Sequence, residues 1–260
     1  MIQLLPTVQK VTLLATSVLS LTFMVASFAR ADFVGAPTQP TTKTGSTGTR
    51  GYTPPNPSRP SRGTGSTGTR GGCEDASQAS STANLLTLAP QQHIGRTSSS
   101  HPTLVWYVPG QQAGAIELSL FEYGANGRGK RMQTFELPGT PGIMQWTLPQ
   151  SQPGLAAGQT YVWQVALICN RNRPSQNQWT EAVIEVATVP PNLTAILKQT
   201  TDPLKRATAY AEAGFWYDAL AETFKTPTAR SLRLTLLEQL SQLESPEQQA
   251  QLQAIVANER

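Results

Sequence analysis

Apolar side chains occupy every second position from Tyr161 through Trp163, Val165 and Leu167 to Cys169. A period of two puts all five on one face of a strand. This is the longest strand-like run in the chain, and its face is bulky enough to form the middle of a core. Shorter apolar runs flank it, separated by Pro and Gly: Leu85 to Leu88, Thr103 to Val108, Ala115 to Phe121, Arg131 to Leu137, Ile143 to Leu148 and Trp179 to Val189. Asn126-Gly127 between two of them is a hairpin-turn signal. Short strands at this spacing, with no helix between them, predict an antiparallel β-sandwich over residues 73–191.

Leu155, Gly158 and Tyr161 sharpen that expectation. A Tyr opening a late strand, after a Leu and a Gly, looks like the tyrosine corner of immunoglobulin-like and fibronectin-like sandwiches. After Pro191 the apolar period becomes helical. Asp202-Pro203, Thr226-Pro227 and Ser245-Pro246 each place a capping side chain before a proline in the first turn, where proline's missing N–H costs nothing. Leu232, Leu236, Leu240 and Leu243, then Leu252, Ile255 and Val256, follow at helical spacing. The chain is therefore expected to be mainly β with a short helical module over residues 192–260.

Residues 1–31 have the form of a signal peptide. Lys10 precedes an apolar stretch from Val11 to Phe28, and Ala29-Arg30-Ala31 supplies a small-x-small cleavage pattern. Cleavage is expected between Ala31 and Asp32; an uncleaved anchor is the alternative. The expected location is exported, periplasmic or extracellular, with no membrane span after cleavage. Residues 32–72 are Pro, Gly, Ser, Thr and Arg, too poor in apolar surface to offset the entropy of ordering. They read as a disordered basic linker in which Thr44–Gly51 recurs as Thr64–Gly71.

Charge follows this division. The linker carries five basic residues and one acidic residue, whereas the chain from Cys73 onward carries 13 basic and 15 acidic residues. The folded part lacks the basic stripe of a nucleic-acid binder. The linker could rest on an anionic wall or lipid surface, or serve only as a solubilising spacer. Cys73 and Cys169 both lie in the exported portion, where a disulfide between them is expected, two separately buried thiols being the alternative.

No catalytic, metal or cofactor constellation stands out. Gly124 to Lys130 matches a phosphate-loop pattern, but Arg131 replaces the hydroxyl residue and strands flank it on both sides, so it reads as a hairpin turn. The two histidines, His93 and His101, lack zinc-site spacing with the two cysteines. Ser98, Ser99 and Ser100 precede His101, yet neighbours on an extended segment point to opposite faces. Tyr210 to Phe224 looks like the middle of a tetratricopeptide unit. A single unit is read as a hairpin whose aromatics bury against the sandwich, or as a docking site for a partner helix through Phe215, Trp216 or Tyr217.

Four stretches together resemble a cyanobacterial family known as a domain of unknown function, DUF928. They are Gly68 to Cys73, Ser100-His-Pro-Thr103 running to Tyr107-Val-Pro109, Leu155 to Cys169 with Gly158, Tyr161 and Trp163, and Tyr210 to Leu220 with Gly214, Trp216 and Asp218. Trp106 stands one position later here than is usual in that family. The resemblance implies export and a cyanobacterial source and supplies no activity. The leading expectation is a non-enzymatic cell-envelope protein that binds a protein or glycan partner. The alternative is an envelope hydrolase or inhibitor with a site built by loops around Ser98–His101 and Arg171–Arg173.

Overall fold

The computed structural model describes residues 51–55, 84–110, 114–125 and 127–260. The signal segment with Ala31 and Asp32, most of the linker, and Cys73 lie outside the described residues. Among the described residues, eight strands precede five helices. The strands are β1 (Leu86–Thr87), β2 (Gly95–Thr97), β3 (Thr103–Val108), β4 (Gly114–Gly124), β5 (Gly127–Gly139), β6 (Gly142–Thr147), β7 (Thr160–Ile168) and β8 (Gln178–Val186). They form two open sheets, of order β1-β3-β6 and β2-β8-β7-β4-β5.

The long alternating run is the central strand β7. Tyr161, Trp163, Val165 and Leu167 are all buried, and β4 and β8 flank it antiparallel, with Leu120 opposite Trp163 on one side and Ala182 on the other. The Tyr161 hydroxyl accepts from the Ala156 N–H at 3.0 Å. Gly158 holds φ at 75°, a conformation that favours glycine, and so lets the chain turn into β7. Asn126 lies outside the described residues; Gly127 beside it turns the β4–β5 hairpin at φ 99°.

One pairing departs from the antiparallel expectation. β2 runs parallel to β8, Gly95 opposite Ile184. Gly-Arg-Thr has no apolar alternation to mark it as a strand. A Cβ at Gly95 would lie 2.8 Å from the Tyr217 ring, so glycine permits the close approach of a helix there.

The helices are α1 (Pro191–Gln199), α2 (Pro203–Glu212), α3 (Trp216–Glu222), α4 (Arg230–Ser241) and α5 (Pro246–Asn258). Asp202 caps α2 by accepting from Leu204 N–H, and Ser245 caps α5 by accepting from Gln248 N–H. Thr226 makes no such cap. It precedes a single 3-10 turn, Pro227–Ala229, and α4 starts after it.

Sheets and helices share one apolar core that includes Trp106, Trp163, Trp216, Leu236 and Ile255. Three hydrogen bonds tie helix α3 into it. Trp163 Nε1–H donates to the Tyr217 hydroxyl at 2.8 Å, that hydroxyl donates to the Val183 carbonyl at 3.0 Å, and Trp216 Nε1–H donates to the Leu88 carbonyl at 2.9 Å. Buried polar groups are stable only when partnered, so these bonds fix how α3 seats on the sheets.

The linker expectation needs correcting at one place. Tyr52 is buried, with its ring edge-on to Trp216 at 4.9 Å. An aromatic in a Pro- and Gly-rich stretch finds an aromatic partner on a helix, which sequence composition alone does not reveal.

Candidate functional site

The outer face of the five-stranded sheet carries the side chains that alternate away from the core. Glu117 and Phe121 come from β4, Gln164 and Ala166 from β7, and Trp179 and Glu181 from β8. A trough of about 660 Å³ crosses this face, lined among others by Phe121, Arg128, Arg131, Gln164, Arg171 and Trp179. Arg128 is one of its three arginines. Its guanidinium stands 5.0 Å from the Phe121 ring and 5.9 Å from the Trp179 ring, and pairs with Glu181 at 3.3 Å. Arg131 also lies over Phe121, at 5.4 Å. These distances are within the range of cation–π attraction.

The Glu181 carboxylate sits beneath Arg128 with its side chain only 7% exposed. Gln164 Nε2–H donates to it at 3.4 Å. Burial raises the Glu181 carboxyl above its ordinary range, and Arg128 and Gln164 pull it back. At the far end Arg171 pairs with Glu136 at 3.3 Å, both exposed. Guanidinium, carboxylate and amide groups therefore line one open surface beside two aromatic rings. Such a mixture offers donors and acceptors to a hydroxyl-rich ligand, and the half-buried Trp179 offers an aromatic face to its C–H groups, whereas Phe121 is buried beneath the two arginines.

The three serines have separate fates. Ser98 is spent on the half-buried Asp218, its N–H donating at 2.8 Å and its hydroxyl at 2.6 Å. Burial raises the Asp218 carboxyl, opposed by those Ser98 bonds. Ser99 Oγ accepts from His101 N–H at 3.0 Å. Ser100 does meet His101, Oγ to Nδ1 at 3.0 Å, which corrects the expectation of opposite faces; the segment is a bend, not an extended strand. His101 Nε2 faces the Gln152 carbonyl at 3.2 Å. A carbonyl only accepts, so Nε2 carries a proton, and in the neutral ring Nδ1 accepts from Ser100. A Cβ on Gly154 would lie 2.7 Å from the imidazole.

Ser98–His101 and Arg171–Arg173 cannot form one site. The first follows β2, alongside Val186 at the C-terminal end of β8; the second precedes the N-terminal end of β8. Nine residues of strand separate them, about 27 Å.

The candidate docking residues are also corrected. Phe215, Trp216 and Tyr217 are 2%, 0% and 2% exposed, so none presents a surface to a partner helix. They fill the core between α3 and the sheets. Cys169 follows β7 and is half-buried, its N–H donating to Asn177 Oδ1 at 3.1 Å. Among the described residues there is no cluster of three metal-ligating side chains, and no helix is long and apolar enough to cross a membrane.

A buried polar cluster that sequence reasoning missed lies beside α4. The Tyr52 hydroxyl meets His93 Nε2 at 2.8 Å, and Glu244 accepts from the Gln91 N–H at 2.9 Å. Burial lowers His93 from 6.5 to about 4 and raises Glu244 from 4.5 to about 7. The raised carboxyl contributes stability that is full below pH 4.5 and is lost as pH climbs through 7. The depressed imidazole contributes stability that is full above pH 6.5 and is lost as pH falls through 4. Between pH 4.5 and 6.5 the two slopes oppose each other, each at most about 1.4 kcal/mol per pH unit. Relative to the parent chain, Glu244→Gln is expected to become more stable as pH rises across this window, and His93→Gln less stable. Denaturant melts at pH 4.5, 5.5 and 6.5 check this; parallel profiles for all three chains would contradict it.

A family model described as Domain of Unknown Function (DUF928) matches residues 65–259. No curated protein matches the chain.

Proposed function

The chain belongs to the DUF928 family, and on that premise we propose that it is an exported, non-enzymatic envelope protein that binds a glycan across the outer face of its larger sheet. The observation that carries this reading is the trough itself, with Arg128 set against Phe121 and Trp179 and joined to Glu181 and Gln164. Guanidinium, amide and carboxylate groups can hydrogen-bond vicinal hydroxyls in pairs, and an indole can pack on the apolar face of a pyranose. Arg128, Arg131 and Arg171 are matched by Glu117, Glu136 and the underlying Glu181, a balance that favours an uncharged saccharide over a polyanion.

The compartment belongs to the same proposal. The signal-like segment, a source in cyanobacteria and the Cys73–Cys169 bridge are consistent with one another, and no free cysteine occurs among the described residues. The two sheets are proposed to be an immunoglobulin-like sandwich variant. The Tyr161 bond to Ala156 supports that reading, and the parallel β2 is its departure. A role for the basic linker on an anionic wall or lipid surface stays a proposal alongside it.

The test is calorimetric titration of the mature chain with neutral oligosaccharides of the cell wall. Trp179→Ala and Arg128→Ala are each expected to weaken binding at least tenfold, while Ser100→Ala leaves it unchanged. Absence of any binding saccharide, or full affinity in Trp179→Ala, would overturn the reading.

One observation favours a second reading, a hydrolase at the bend. The Ser100–His101 pair has the proton arrangement of a base-activated hydroxyl. Labelling by a fluorophosphonate probe that disappears in Ser100→Ala would establish it. Equal labelling of parent and variant, or none, would leave the pair as a staple that holds the 152–155 loop.

A further inference from the structure

Tyr52 and Thr53 of the segment Gly51–Pro55 lie in a groove formed by His93, Ala211, Trp216 and Gln239, and their contacts there have the form of peptide recognition. Its aromatic side chain is the anchor. The Tyr52 ring stacks on the His93 ring at 5.7 Å, stands edge-on to Trp216 at 4.9 Å, and hydrogen-bonds His93 through its hydroxyl. Its backbone is read as well. Tyr52 N–H donates to Gln239 Oε1 at 2.9 Å, and Thr53 N–H donates to the Ala211 carbonyl at 3.1 Å. Pro54 and Pro55 each fix their own φ, so the segment has little backbone entropy left to lose on binding. Gly214 makes room for it, because a Cβ there would lie 2.9 Å from the Thr53 carbonyl oxygen.

Groove and occupant belong to different parts of the chain. His93, Ala211, Trp216 and Gln239 all fall within the family match over residues 65–259, and Gly51–Pro55 falls before it. Residues 56–83 join the two.

We propose that this groove is a recognition site for an extended tyrosine–x–proline–proline peptide, filled in the resting chain by Gly51–Pro55 and open to the same sequence supplied in trans. Attachment through the joining chain amounts to an effective concentration on the order of millimolar. A free peptide therefore competes poorly with the attached segment and binds well only once that segment is weakened.

The experiment uses the full mature chain and a labelled peptide of residues 49–57, followed by fluorescence anisotropy. The peptide is expected to bind Tyr52→Ala saturably and at least tenfold more tightly than it binds the parent chain. The same peptide with Ala in place of its tyrosine is expected not to bind. Should Tyr52→Ala lack a cooperative melt, Thr53→Pro takes its place, since it deletes the N–H that reaches Ala211 and keeps the tyrosine. Equal binding to parent and variant, or no binding to a folded variant, would overturn the proposal. Failure of both variants to melt cooperatively would overturn it too, because the segment would then be an integral part of the core.

Discussion

Trp163→Ala is expected to lower stability by about 3–5 kcal/mol, the usual cost of removing a fully buried tryptophan. Trp163 is 0% exposed, sits on the central strand, and its N–H is the donor that holds Tyr217 of α3. The substitution opens a cavity and also removes the donor to the Tyr217 hydroxyl. Trp163→Phe separates these effects. It fills most of the volume and is expected to cost roughly 1–2 kcal/mol more than a volume change alone, because a buried hydrogen bond is lost. Equilibrium denaturation measures both. A loss below about 1 kcal/mol for Trp163→Ala would place the centre of the core elsewhere.

The second large effect is expected at Cys169. A bridge to Cys73 closes a loop of about 97 residues, worth on the order of 4–5 kcal/mol through the entropy it removes from the unfolded chain. Cys169→Ser is therefore expected to lower the melting temperature strongly under non-reducing conditions. Cys73→Ser should do the same, and the double variant should lose no more than either single one, since a bridge is lost only once. An unchanged melting temperature in Cys169→Ser, or additive losses in the double variant, would remove the bridge.

The parts of the fold legible in the sequence were those where local pattern and tertiary environment agree. The run from Thr103 to Val108 is β3 without adjustment, and the alternation from Tyr161 onward is β7. Asp202 and Ser245 cap as their position before proline predicts. Thr226 does not, because the chain there makes a 3-10 turn before α4 begins. β2 was invisible because three residues without apolar alternation become a strand only when β8, almost ninety positions later, supplies the hydrogen bonds.

The candidate sites were less legible for a related reason. Phe215, Trp216 and Tyr217 read in sequence either as a hairpin buried against the sandwich or as a docking patch, because the sequence does not show what covers them. The structure buries all three, with Tyr52, Leu88, Trp163 and Val183 supplying contacts from far away in sequence. The trough could not be assembled from sequence either. Its polar positions alternate out of phase with the core, but only the pairing of β4, β7 and β8 brings Glu117, Gln164 and Glu181 onto one surface.

Amide hydrogen–deuterium exchange, with and without a bound neutral cell-wall oligosaccharide, tests the glycan-binding account most directly. It predicts added protection in β5 and β8, around Arg128 and Trp179, and none around the 98–101 bend or in α2 and α3. Protection at the bend or in those helices, with β5 and β8 unchanged, would contradict it.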